Sequence, residues 1–138
     1  MVVDLMRARI DAFLAGSPHA VVGASADRAK YGNKVLRVYI QRGRPVYPVN
    51  PRAGQIEGLD AFASLAALPT RPHGLSIVTP PVVSEQVVEE AARLGIQHLW
   101  MQPGAESDRA VARAAELGLQ LVAGGPCILL VLGYREQE

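Results

Sequence analysis

Ala20-Val21-Val22-Gly23-Ala24-Ser25, followed by Asp27-Arg28 and Lys30-Tyr31-Gly32-Asn33-Lys34, decides the fold. A short apolar run ends at a glycine, a small polar loop follows, and an amphipathic helix begins. Such a strand–loop–helix unit has free backbone N–H groups and the positive end of a helix dipole at one point, and both favour an anion. Arg28, Lys30 and Lys34 add positive charge to the same stretch. The loop departs from the dinucleotide pattern G-x-G-x-x-G. Only Gly23 and Gly32 are present, with eight residues between them. Gly32 is expected to let a phosphate approach the helix start. About twenty residues on, where an NAD-binding fold carries an acid for the ribose hydroxyls, stand Asn50-Pro51-Arg52. A guanidinium pairs with phosphate in a forked geometry, so Arg52 is either a phosphate contact or a solvated surface residue.

Outward from this unit, strands alternate with helices. Val3, Met6, Ile10, Phe13 and Leu14 recur at helical spacing, so residues 2–15 read as an amphipathic helix. Strands are expected at Ala20–Ala24, Val46–Val49, Leu75–Thr79, His98–Met101 and Leu119–Val122. Helices are expected from Gly32 to Arg42, near Ser64–Leu68, from Val83 to Leu94 and from Ala110 to Leu117, with Gly43, Gly95 and Gly118 as stops. Ile128–Leu132 is a terminal apolar stretch, and Arg135–Glu138 is expected to fray. This alternation predicts an α/β fold: a Rossmann-like, doubly wound, parallel five-stranded sheet with an extra N-terminal helix. The expected order is 3-2-1-4-5, which brings the first two ligand loops to the switch point. Residues 1–138 read as a single domain.

Composition narrows the function classes. The net charge of +1 and scarce aromatics give no basis for nucleic-acid binding. One cysteine rules out an internal disulfide framework, and no Cys/His spacing supports a metal. No apolar run reaches the roughly 18 residues of a membrane span. Asp4, Arg7, Arg9 and Asp11 interrupt any signal-peptide core, so a cytoplasmic location is the expectation. His19, His73 and His98 each begin a strand, the end away from a ligand, and read as structural. Cys127 reads as a small buried hydrophobe, the alternative being a thiol near a ligand. Gln102 either hydrogen-bonds a ligand or caps its turn. Glu106, Ser107 and Asp108 are expected to cap the helix that follows.

Several motifs recur in a fixed order: Val21-Val22-Gly23-Ala24-Ser25, Lys30-x-Gly32-Asn33-Lys34, Pro45-Val46-Tyr47-Pro48-Val49-Asn50-Pro51, Ser76-Ile77-Val78-Thr79-Pro80-Pro81, Leu99-Trp100-Met101-Gln102-Pro103-Gly104-Ala105, and a cysteine after the last strand. Together they resemble the small stand-alone CoA-binding proteins, which are similar to the N-terminal CoA-binding domain of the succinyl-CoA synthetase α subunit. The resemblance runs from about Ser17 to Leu132. It implies a fold holding the ADP part of coenzyme A, with Gly23-Ala24-Ser25 on phosphate and Asn50-Pro51-Arg52 beside the adenosine phosphates. Val78-Thr79-Pro80 would run along the adenine or the pantetheine. The synthetase's phosphorylated histidine belongs to a second domain, and no histidine here is expected to replace it.

The expected CoA-binding residues are Gly23, Ala24, Ser25, Lys30, Gly32, Asn33, Lys34, Asn50, Pro51, Arg52, Val78, Thr79, Pro80 and Gln102, with no catalytic residue and no metal. The expected function is non-catalytic binding of CoA or an acyl-CoA through its 3′-phospho-ADP moiety. Two alternatives stand beside it. One is an NADP-linked oxidoreductase domain; the other is the CoA-binding subunit of a multi-chain acyl-CoA ligase.

Overall fold

The computed structural model describes residues 2–136. Helix α1 (Val2–Leu14) leads into β1 (His19–Val22), α2 (Tyr31–Gln41) and β2 (Val46–Val49). A hairpin, β3 (Gln55–Ile56) and β4 (Leu59–Asp60), and one 3-10 turn (Leu65–Ala67) precede β5 (Gly74–Ile77). Then come α3 (Pro81–Arg93), β6 (His98–Met101), α4 (Asp108–Glu116), β7 (Gln120–Val122) and α5 (Ile128–Leu132). The hairpin is absent from the sequence reading. Its turn places Glu57 at φ 51° and Gly58 at φ 80°, and two-residue strands are too short to show an alternating pattern.

β2, β1, β5, β6 and β7 form one parallel sheet in that order. The α/β class and the five parallel strands agree with the sequence, but the order 3-2-1-4-5 is corrected to 2-1-3-4-5. The third long strand lies on the far side of the first, and the second is at the edge. Pro48 gives the physical reason. Its carbonyl faces outward, accepting from Phe62 N at 3.0 Å. A strand residue points its N–H and C=O to the same side, so the N–H that proline lacks also faces outward. Proline within a sheet is confined to such an edge. Among the described residues, the outer edge carries a one-residue bridge from Val49 to Phe62 and no full strand.

Side chains alternate across the sheet into two cores. Ala20, Val22, Ile77, Leu99 and Met101 pack against α3 and α4 through Val87, Val88, Ala91, Ala110 and Ala114. Val21, Trp100 and Val122 pack on the other face with Phe13, Val35, Leu36, Tyr39 and Ile128, from α1, α2 and α5. Both faces are thus covered, as short continuous apolar strands require. Met6, Ile10, Phe13 and Leu14 face the sheet as expected; the side chain of Val3 lies outside the described ones. Pro81 opens α3 at its first turn, where a missing N–H costs nothing. Ser107 caps α4, its Oγ accepting from Ala110 N at 3.0 Å. The expected fraying of the tail is corrected for Arg135 and Glu136. Gln41 Nε2 donates to Arg135 O at 2.7 Å, and Glu136 pairs with Lys34 at 3.4 Å and Arg37 at 3.6 Å. Residues 137–138 lie outside the described ones. No helix among the described residues is long and apolar enough to cross a membrane.

The three histidines meet at the N-terminal ends of the strands, and two of them hold α1. His19 Nε2 lies 2.7 Å from Phe13 O and His73 Nε2 lies 2.8 Å from Ala12 O. Arg44 adds a bond to Leu14 O at 3.0 Å. The rings of His73 and His98 stack at 4.5 Å. Burial, above all, lowers the pKa of His19 from 6.5 to about 4. The bond to Phe13 O opposes this, while His73, Arg44 and His98 add to it. His98 is lowered too, by burial and then by His73. Between 4 and 6.5 the unfolded chain therefore binds a proton at His19 that the fold does not. This stability is complete above the unfolded pKa and is lost as pH falls toward the folded one, up to about 3 kcal/mol. Urea unfolding from about pH 7 to about pH 5 should show stability falling, and His19→Phe should flatten that slope whatever it does to the absolute value. A parental slope unchanged in the variant would rule out a buried neutral imidazole.

Candidate functional site

In the order found, β1 and β5 are neighbours whose following helices, α2 and α3, lie on opposite faces. Their loops part at the carboxyl ends of the strands, the usual place for a ligand in an open α/β sheet. A cleft of about 690 Å³ lies there. Its wall contains Gly23, Ala24, Ser25, Lys30, Gly32, Asn50, Pro51, Val78, Thr79 and Pro80, ten of the residues expected from sequence. Val22, Tyr31, Val49, Ala63, Ser64, Leu65, Val83 and Glu90 complete it. Tyr31 was overlooked although it stands within the Lys30-x-Gly32 motif; an aromatic there carries no sequence signal of its own. Ala63-Ser64-Leu65 reach the cleft only because the chain returns past the edge strand at Phe62.

Two glycines allow the loops to close on each other. Gly23 has φ 94°, and a Cβ on it would lie 2.9 Å from the carbonyl oxygen of Val78. A Cβ on Gly32 would lie 2.1 Å from the carbonyl oxygen of Gly23. Gly32 therefore serves close helix–strand packing, a reason different from the phosphate approach expected of it. Helix α2 begins at once beside the strand end, with no side-chain cap at Lys30. Asn33 N and Lys34 N both donate to Lys30 O, at 3.1 and 3.2 Å, which leaves the N–H groups of Tyr31 and Gly32, at the cleft, without a capping side chain.

The loops are also tied by side chains. Asn50 Nδ2 donates to Ala24 O at 2.8 Å, its Oδ1 accepts from Arg52 N at 2.8 Å, and its own N donates to Phe62 O at 2.9 Å. One side chain thus joins the loop after β1 to the loop after β2. Ser25 Oγ accepts from Asp27 N at 3.0 Å and Asp27 Oδ1 from Ala29 N at 3.0 Å, closing the first loop. Thr79 Oγ1 lies 2.8 Å from Ser84 Oγ and so faces the start of α3.

The other expected residues are not part of the cleft wall. Asn33 is buried; its Nδ2 donates to Ser25 O at 2.8 Å and to Glu57 at 3.1 Å, and its Oδ1 accepts from Arg37 at 2.6 Å. It braces the loop from behind. Lys34 faces Glu136, and Arg52 is exposed beyond Pro51. Gln102 is buried, its Oε1 accepting from Ile128 N at 2.9 Å. Arg28 pairs with Glu57 at 3.3 Å, linking the hairpin to the first loop. Of the cations near the first loop in sequence, Lys30 is the one lining the cleft among the described residues.

The model of the CoA-binding domain matches residues 18–133, which is most of the chain and contains every wall residue. The chain belongs to the CoA-binding-domain family. The resemblance to the succinyl-CoA synthetase type is borne out at that level. The CoA-binding domain is 33% identical over 79 residues to the α subunit of ADP-forming acetate–CoA ligase II of Pyrococcus furiosus. That stretch is 56% of this chain but only 17% of the ligase subunit. A conserved hypothetical protein of Pyrococcus furiosus is similar in structure, with a TM-score of 0.79 and 39% identity over 84% of this chain and 99% of its own. The dinucleotide-forming acetyl-coenzyme A synthetase 1 of Candidatus Korarchaeum cryptofilum, in its apo form, matches with a TM-score of 0.65 and 27% identity, over 75% of this chain and 25% of its own.

The CoA-binding domain keeps its histidines away from the cleft. Among the described residues, no group of three His, Cys, Asp or Glu side chains is placed to hold a metal. Burial, and then the hydrogen bond to Cys127, push the Tyr31 phenol well above its ordinary pKa, so it meets the cleft neutral.

Proposed function

We propose that the cleft binds coenzyme A, or an acyl-CoA, through its 3′-phospho-ADP moiety, and that the chain binds it without catalysing a reaction of it. The observation that carries this is the start of α2. Its uncapped first turn, Lys30 and the tight Gly23–Gly32 contact converge on one wall of the cleft. A diphosphate there would meet backbone N–H groups, the helix dipole and an ammonium group together. Ala24 and Ser25 flank that position, and Asn50 and Pro51 border the ribose. Arg52, exposed at the rim, takes the 3′-phosphate. Val78, Thr79 and Pro80 form the opposite wall, along the adenine or the pantetheine. Asn33 supports this site through Ser25 rather than by contact.

In this reading residues 1–138 act as one CoA-binding domain in the cytoplasm. The similarity to acetate–CoA ligases supports a second reading, in which a partner chain supplies the chemistry. A native pull-down that recovers a stoichiometric partner with an ATP-grasp-like domain would favour it.

Calorimetry with CoA and dephospho-CoA tests the first reading. Loss of the 3′-phosphate is expected to weaken binding by about 1–3 kcal/mol, the scale of one charge-assisted contact. Equal affinities would remove the 3′-phosphate from the account. Tighter binding of NADP than of CoA would favour an oxidoreductase domain instead.

A further inference from the structure

One polar cluster beside the cleft is not used by the contacts proposed for the 3′-phospho-ADP moiety. Tyr31 lines the cleft, and its hydroxyl lies 2.6 Å from Cys127 Sγ and 3.4 Å from Gln102 Oε1. Cys127 is partly exposed and is the only cysteine in the chain. Gln102 is fully buried, and the bond from Ile128 N to its Oε1 places its amide head at the Cys127–Ile128 corner. The Nε2 of the same amide is buried and has no hydrogen-bond partner among the described residues. An unmet buried donor costs about 1–3 kcal/mol, so it marks a position where an acceptor from outside the protein is favoured. The pantetheine arm of CoA carries amide carbonyls and ends in a thiol. Tyr31, which is part of the cleft wall, thus joins the cleft to the Gln102 amide and the Cys127 sulfur.

We propose that Cys127 captures the thiol end of the ligand covalently, by exchange with a CoA disulfide, to give a protein–CoA mixed disulfide. This rests on the CoA reading of the cleft. In the exchange, Cys127 Sγ attacks one sulfur of the CoA disulfide. A new S–S bond forms to that sulfur as the original S–S bond breaks. The second CoA leaves as a thiolate and takes up the proton that the Cys127 thiol gave up. Oxidising equivalents come from the CoA disulfide itself, and no other reactant is needed. The Gln102 amide donor is satisfied by a pantetheine carbonyl, and the Tyr31 hydroxyl remains beside the sulfur. The product is a CoA carrier that sequesters its ligand when disulfides accumulate and releases it on reduction.

The full chain is incubated, without reductant, with CoA disulfide and separately with oxidised glutathione, and intact mass is followed with time. CoA binding to the parent is measured by calorimetry in reductant. The expected result is a CoA-sized mass increment that reduction removes and that Cys127→Ser does not acquire. Formation should be about tenfold or more faster than with oxidised glutathione, because the cleft raises the local concentration of its own ligand. Because the chain has a single cysteine, a reducible adduct is located even without the variant. Two outcomes overturn the inference while leaving the cleft reading intact: CoA binds in calorimetry but no adduct forms, or the two disulfides react equally fast. Absence of CoA binding in calorimetry overturns the cleft reading, and the capture by Cys127 with it.

Discussion

Replacing Gly23 with valine is expected to reduce CoA affinity by about a hundredfold or more. Gly23 sits where β1, β5 and α2 meet. Its φ of 94° is strained for any residue with a Cβ, and that Cβ would lie 2.9 Å from Val78 O and 3.2 Å from Thr79 Cγ2. Relief requires the loop to move, and its carbonyl is the atom against which Gly32 packs. The start of α2 would shift with it, taking the N–H groups and Lys30 away from the diphosphate. Two charge-assisted contacts at about 1.5–3 kcal/mol each account for a loss of that size. The left-handed backbone and the overpacking together should lower stability by about 2–4 kcal/mol. Calorimetry and urea unfolding measure the two effects separately. Gly23→Ala, which meets the same carbonyl with fewer atoms, keeps the comparison possible if the valine variant does not fold. A folded variant with parental affinity would place the ligand elsewhere.

Trp100→Ala is expected to be the most destabilising single truncation, at about 3–5 kcal/mol. The indole is fully buried on the α1–α2–α5 face of the sheet. It meets Phe13 edge-on at 5.3 Å, and its Nε1 donates to Pro126 O at 3.0 Å. Alanine leaves a large apolar cavity and an unmet carbonyl in the loop that holds Cys127. Trp100→Phe refills much of the volume but not the hydrogen bond, and should cost about 1–3 kcal/mol. Urea denaturation of the two variants checks the order and the sizes. A cost below about 1 kcal/mol for the alanine variant would be incompatible with so closely packed a site.

Much of the ligand face was legible because it depends on local chemistry. Gly23, Asn50-Pro51 and Val78-Thr79-Pro80 are strand ends, and a parallel sheet brings all its strand ends to one side. Finding the strands was therefore enough to list most of the wall. Charge was harder to read. Arg28, Lys30 and Lys34 are near one another in sequence, but only Lys30 faces the cleft. The others meet carboxylates from remote parts of the chain, Glu57 from the hairpin and Glu136 from the tail. Asn33 likewise looked like a ligand residue from its motif, yet its amide is taken up by Ser25 O, Glu57 and Arg37.

The sequence by itself determined the alternation of apolar strands with amphipathic helices, and so the parallel sheet covered on both faces. It also determined the glycine-closed loop after β1, because hydrophobic periodicity and backbone strain are properties of neighbouring residues. Strand order was decided only in three dimensions. Whether β5 pairs with β1 or lies outside β2 depends on which edge can be hydrogen-bonded, and the outward-facing nitrogen of Pro48 is informative only once β1 is known to lie on its other side. The meeting of Tyr31, Gln102 and Cys127 was decided in the same way. Their sequence separations are 71 residues from Tyr31 to Gln102 and 96 from Tyr31 to Cys127. No local pattern encodes such a contact; it arises because α2 and α5 pack together on the face of the sheet beside the end of β6.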